Sequence, residues 1–345
     1  MKEKAIALLL LSSFPGIVCA ASGTVAANSY LQHNLVADTA GVADVTDPNL
    51  VNPWGISESA ASPFWISDNG TGLTTLYGST GAIIPLVVTI APPKGQTSTS
   101  APSGQLFNST TSFVLANGKP ASFIFVTEDG TVSAWNGGAT TTLEVDNSAS
   151  GAIYEGVALG SNASGPMLYA ANFHAGTVDV FNGSFAAVTT TGTFADPNIP
   201  TGFAPFNIAN LNGQLYISYA MQDAMRKDDV PGAGNGLIDI FDMDGNLQKR
   251  LVFQGPLNSP WGMAIAPAGF GAFGGALLVA NFGDGKINAF DPNSGSMLGT
   301  LQDIRGNVIA IDGLWGLIFG NGKAGGNANT LYFTAGPGME QHGLF

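Results

Sequence analysis

The side chains able to do chemistry in this 345-residue sequence are sparse and fall in turns. Asp68-Asn69, Glu128-Asp129, Asn172 with His174, and Asn281 with Asp284 each follow a short apolar run, and Glu340 with His342 lies close to Phe345. A denser group, Arg226-Lys227-Asp228-Asp229, gathers four charges in a chain where only 10% of residues are charged. Adjacent carboxylates such as Asp228 and Asp229 suit a hard cation such as Ca²⁺, which takes oxygen ligands. Arg226 suits a clamp on an anionic group. Asp68, Glu128, Asn172 or His174 can serve as metal ligands, with Glu340 or His342 as the acid/base of a hydrolase or lyase. Each also has a plainer explanation. Asp-Asn-Gly, Glu-Asp-Gly and Gly-Asp-Gly are ordinary hairpin turns, His174 and His33 can be surface or packing residues, and the loop charges can pair with one another. The sequence holds no His-x-x-x-His, Gly-x-Ser-x-Gly or His-Glu-x-x-His spacing that would demand a reaction.

Only repetition can bring such scattered turns together. Pro53-Trp-Gly-Ile, Pro205-Phe-Asn-Ile, Pro260-Trp-Gly-Met and Leu314-Trp-Gly-Leu open apolar strands at multiples of roughly 50 residues. Two weaker units fill the longest gap, one near Phe107-Asn108 leading into Thr111-Ser-Phe-Val-Leu, the other at Glu155-Gly-Val-Ala-Leu. A second strand follows each opening, as at Phe64-Trp-Ile-Ser, Phe123-Ile-Phe-Val-Thr, Met167-Leu-Tyr-Ala-Ala and Gln214-Leu-Tyr-Ile-Ser-Tyr. A third alternates apolar and polar residues, as at Thr131-Val-Ser-Ala-Trp and Leu237-Ile-Asp-Ile-Phe, and an outer fourth is clearest at Leu247–Phe253 and at Met297–Leu301.

This pattern predicts an all-β fold, a six-bladed β-propeller of four-stranded antiparallel blades at about 50–101, 102–150, 151–200, 201–253, 254–308 and 309–345. Residues 30–36 are expected to supply the last blade's missing strand, because an unclosed ring would expose two edges. In such a ring the second-to-third loops share one face with the entries to the next inner strands. Asp68, Asn69, Glu128, Asn172, His174, Asn281, Glu340, His342 and the inserted loop with Arg226, Asp228 and Asp229 would then meet at one mouth. Trp54, Trp261 and Trp315 are expected to fill wedges between blades.

Lys2 and Lys4, the apolar run 5–11, Pro15-Gly16 and the small residues near Ala21 read as a signal peptide over 1–21, so a secreted or periplasmic product is expected. Cys19 is the single cysteine and lies in that segment, which leaves the remainder without disulfide or thiolate-metal chemistry. No later run is long enough to span a bilayer. The formal net charge of -13 opposes a nucleic-acid partner.

The Pro-Trp-Gly openings, the Ala-Asn-Phe turns and the Phe-Asp-x-x-x-Gly strand ends resemble NHL-type six-bladed propellers. More narrowly, Thr46-Asp-Pro-Asn-Leu-Val-Asn-Pro-Trp-Gly-Ile56, Ala171-Asn-Phe-His-Ala-Gly176, Asp228-Asp-Val-Pro-Gly and the Ala335-Gly-Pro…His342-Gly-Leu-Phe end resemble a family of exported, mostly bacterial propeller proteins with no assigned activity. That resemblance covers most of the chain and implies a ring but no reaction. The expected function is a monomeric binding module whose loops take a small molecule, carbohydrate or protein ligand, with Ca²⁺ as the one cofactor considered. The alternatives are a metal-dependent hydrolase or lyase and a structural envelope or matrix component.

Overall fold

The computed structural model describes residues 28–345; the signal peptide and Cys19 lie outside the described residues. Short runs of β-branched and aromatic residues punctuated by glycine turns fold here as antiparallel meanders. Among the described residues five are four-stranded, with strands following one another in chain order, and they span 53–89, 102–146, 154–188, 203–253 and 260–300. The fold is an all-β propeller. Its blade count of five corrects the expected six. The final unit contributes only a two-stranded ladder, Leu314–Phe319 with Leu331–Ala335. Beyond it Met339 and Glu340 both adopt positive φ in a turn, after which Leu344 returns to bridge Ala335 and Ala37 without forming a full strand.

The N-terminal segment also departs from expectation. Residues 31–35 carry no strand; the Tyr30 amide donates to Gln302 O beside blade five. Val36–Ala37 pairs in parallel with Val45–Thr46, and Val36 exchanges backbone hydrogen bonds with Phe345. The opening of the second unit is corrected as well: its inner strand is Pro102–Phe107, not the stretch after Asn108.

Inner strands touch their successors through residues too small to keep them apart. A Cβ on Gly104 of blade two would lie 2.8 Å from Gly156 Cα of blade three, and one on Gly316 of the last ladder would lie 2.6 Å from Trp54 O of blade one. These contacts demand glycine because no side chain fits. Apolar clusters fill the spaces between neighbouring sheets; Ile124 and Val126 of blade two, for example, pack with Leu168 and Phe181 of blade three.

Candidate functional site

Every inner strand breaks register at the same point: between Pro53 and Ile56, Pro102 and Gln105, Tyr154 and Gly156, Pro205 and Asn207, Pro260 and Met263, and Leu314 and Leu317. A β-bulge of this kind re-aims a side chain. The residues carried at or within it are Trp54, Ser103, Glu155, Phe206, Trp261 and Trp315. The aromatic ones meet where the inner strands converge. Trp54 stacks on Trp315 with ring centroids 3.6 Å apart, Phe282 stacks on Trp315 at 4.0 Å, and Trp261 meets both Trp54 and Trp315 edge-on. The tryptophans therefore form a central cluster with Phe173 and Phe206, not the inter-blade wedges expected of them.

Against this cluster lies a cavity of about 330 Å³, floored by Trp54, Phe206, Phe282 and Trp315. Its polar wall holds five carboxyl groups, Glu128, Glu155, Asp228, Asp229 and Glu340, with Asn52, Asn69 and the one cation Lys227. Asn69 Nδ2 donates to Glu128 Oε2 at 2.7 Å, and Asn52 Nδ2 donates to Glu340 Oε1 at 3.2 Å. Lys227 Nζ lies 3.6 Å from Asp228 and stays more than half exposed. Glu155 is 1% exposed, and its Oε2 has no hydrogen-bond partner among the described residues. The indole N–H groups of Trp54, Trp261 and Trp315 are likewise unpartnered among those residues.

Burial and mutual repulsion shift these acids together. Glu155 is held well above the usual carboxyl range by burial first, then by the charges of Glu128, Asp229, Asp228 and Glu340. Burial also raises Glu128 and Glu340, and Asp229 is pushed up to about 6. Hydrogen bonds from Asn69 and Asn52 oppose the rise at Glu128 and Glu340, as does the nearby Trp315 N–H, which still falls short of hydrogen-bond geometry toward Glu340. Lys227 shifts upward, chiefly through the charge of Glu128.

Of the residues singled out in the sequence, Asn69, Glu128, Asp228, Asp229 and Glu340 line this one cavity. Asp68 sits fully buried, without partners for either carboxyl oxygen among the described residues. Asn172 donates to Asp179 at 3.0 Å and Asn281 to Pro256 O at 2.8 Å, so both tie turns together. His174 is half-buried near the blade-four loop, where Gln222 donates to its carbonyl. His342 bonds Asp38 at 2.9 Å and His33 bonds Asp44 at 2.7 Å; none of the three histidines lines the cavity. Arg226, exposed and at positive φ, does not line it either. Among the described residues no group of three His, Cys, Asp or Glu side chains is placed to hold a metal ion.

Glu155 is the residue that motif reasoning missed. Its signal is present in the sequence: Tyr154-Glu155-Gly156 stands where other units carry Pro53-Trp54-Gly55 or Pro260-Trp261-Gly262.

No family model matches the chain. Two solved propeller structures resemble it in fold. Virginiamycin B lyase from Staphylococcus aureus has a TM-score of 0.51 at 16% identity, over 86% of this chain and 96% of that one. A Bacteroides thetaiotaomicron protein of unknown function has a TM-score of 0.51 at 11% identity, over 86% and 70%. Sequence relatives are nearer. Uncharacterized protein L690 of Acanthamoeba polyphaga mimivirus is 32% identical over 298 residues, covering 82% of this chain and 77% of its own. Uncharacterized protein R648 of the same virus is 35% identical over 294 residues, covering 82% and 72%. These relatives are viral proteins. At that identity and coverage the chain belongs to the family of uncharacterised β-propeller proteins that includes R648 and L690 of Acanthamoeba polyphaga mimivirus.

Proposed function

We propose that this protein is a binding module that takes a small ligand in the central cavity. The observation that carries the reading is Glu155: a buried carboxyl group whose Oε2 is unpartnered among the described residues, lining a cavity with the aromatic rings of Trp54, Phe206, Phe282 and Trp315. An unpaired buried carboxyl group is expensive, and a packing role would be met better by the Trp found at the same bulge in other units. The cavity lies at the lower end of the range for small-molecule sites, which suits a compact ligand better than a protein surface.

The three histidines stand outside the cavity, so an acid/base set would have to come from raised carboxyl groups alone. Binding needs no such set. The virginiamycin B lyase fold likeness adds no reaction, because at this identity only the ring is shared. We further propose that the ladder 314–335 and the strand Val36–Ala37 join blade five to blade one, and that the protein acts outside the cytoplasm as a monomer. The Val36–Phe345 hydrogen bonds support the first point and the character of residues 1–21 supports export.

A thermal-shift panel of saccharides, amines, amino acids and Ca²⁺, run on the native sequence and on Glu155→Gln, tests the reading. A ligand that raises the melting temperature of the first and not of the second is expected. A ligand that shifts both equally would place binding elsewhere.

A further inference from the structure

We infer that the central cavity accepts a small organic ammonium ion, and that Lys227 is the chain's own stand-in for that ion. The inference rests on reading the cavity as a ligand site and names the class of ligand. Charge comes first: five carboxyl groups face a single cation across about 330 Å³ with an aromatic floor. In their ionised forms these acids repel anions and are best matched by a positively charged ligand.

The kind of cation follows from spacing. Among the described residues no three His, Cys, Asp or Glu side chains are grouped as a metal site, and these acids are spread around the cavity wall. An ammonium carried on a carbon skeleton is larger, and can contact several separated carboxyl oxygens while its apolar part covers the aromatic floor. Lys227 already brings such a group to the wall, from a loop inserted between Gln214–Met221 and Leu237–Phe241. Its ammonium reaches Asp228 at 3.6 Å but leaves Glu155 Oε2 unpartnered among the described residues. The side chain remains mostly exposed and on a loop, so a free ammonium can take its place without disturbing a strand.

Proton movement gives an independent signature. Glu128, Glu155, Asp229 and Glu340 all hold protons above their ordinary range, and an arriving cation favours their ionised forms. Cation binding should therefore release protons to the buffer, whereas a neutral ligand should not.

Isothermal titration of the native-sequence protein with choline, n-butylammonium, the neutral choline isostere 3,3-dimethyl-1-butanol, glucose and CaCl₂ tests this in two buffers of different ionisation enthalpy. At least one of the two amines should bind with proton release, and the isostere should bind at least about tenfold more weakly. Glu128→Gln and Glu155→Gln should each weaken the amine about tenfold or more, whereas Lys227→Gln should strengthen it by removing the internal competitor. Melting curves establish that each variant is folded, and Asp303→Asn, on an exposed distant turn, serves as the control. Failure of both amines, or Lys227→Gln weakening binding, would overturn the inference. Glucose or Ca²⁺ binding that Glu155→Gln abolishes would overturn the ammonium assignment while the cavity reading stands. Binding of any probe that is indifferent to Glu128 and Glu155 would overturn both.

Discussion

Glu155 in blade three occupies the bulge position that Trp54 occupies in blade one. Both face the convergence of the inner strands and both are buried, yet one is an indole stacked on Trp315 and the other a carboxyl group. One backbone device therefore delivers hydrophobic packing from some blades and a buried carboxyl group from another.

If Glu155 is kept for a ligand and not for the fold, removing its charge should stabilise the protein. Glu155→Gln is expected to raise unfolding stability by about 1 kcal/mol or more at pH 8, because the buried group no longer ionises on unfolding. The gain should shrink toward pH 4, where the carboxyl group is neutral in both states. Urea denaturation at the two pH values measures it, and a loss of stability at pH 8 would mean that Glu155 supports the structure.

Stability of the native sequence should itself fall between pH 5 and 8. Asp229 is pushed up to about 6 and Asp239 to about 7, chiefly by burial. Groups raised in the folded state bind protons more tightly there, so their stabilising contribution is complete below the ordinary carboxyl range and lost as pH rises through these values. Melting temperatures across that window should decline, and Asp239→Asn should flatten the decline. A profile that rises throughout would contradict the burial of these acids.

Arg250 should be indispensable for the opposite reason. Its Nε donates to Asp196 Oδ2 at 2.7 Å, Asp196 is only 5% exposed, and the fully buried Asp239 lies close enough to be raised by it. Arg250→Met is expected to cost about 3–5 kcal/mol by leaving a buried acid without its counter-charge. Adding Asp196→Asn should recover part of that loss. Equal urea midpoints for Arg250→Met and the native sequence would show that the pair is energetically idle.

Trp315 bears the centre of the aromatic cluster, 1% exposed and stacked against both Trp54 and Phe282. Trp315→Ala should cost about 3–5 kcal/mol through lost burial and the void left behind. Trp315→Phe should cost less, since a ring still fills the stack. Comparable urea midpoints for the two variants would argue that the neighbours collapse into the space.

Much of the ring was legible along the chain. Glycine turns, β-branched runs and the recurring Pro-Trp-Gly openings specify strands and their order, because period-2 patterning and turn chemistry are local properties. Second strands such as Phe123–Thr127 and third strands such as Leu237–Phe241 appear where the pattern places them. Local properties fail where the signal residue changes: Ser103 stands in place of the tryptophan that marks other units, so nothing local marks Pro102–Phe107 as the inner strand of blade two.

The site belonged to the tertiary structure. Asp68 closes the strand Phe64–Asp68 and Asn69 follows it, yet the second lines the cavity and the first is fully buried. No turn motif distinguishes them, because successive residues of a strand point to opposite sides and only the packing of the sheets decides which side is the cavity. The same holds for Glu155, whose burial and missing partner arise only when inner strands from the whole length of the chain converge on it. Sequence alone determined the repeating sheet and the supply of acids; convergence decided which acids face one another, since charge repulsion and burial act across space and not along the polymer.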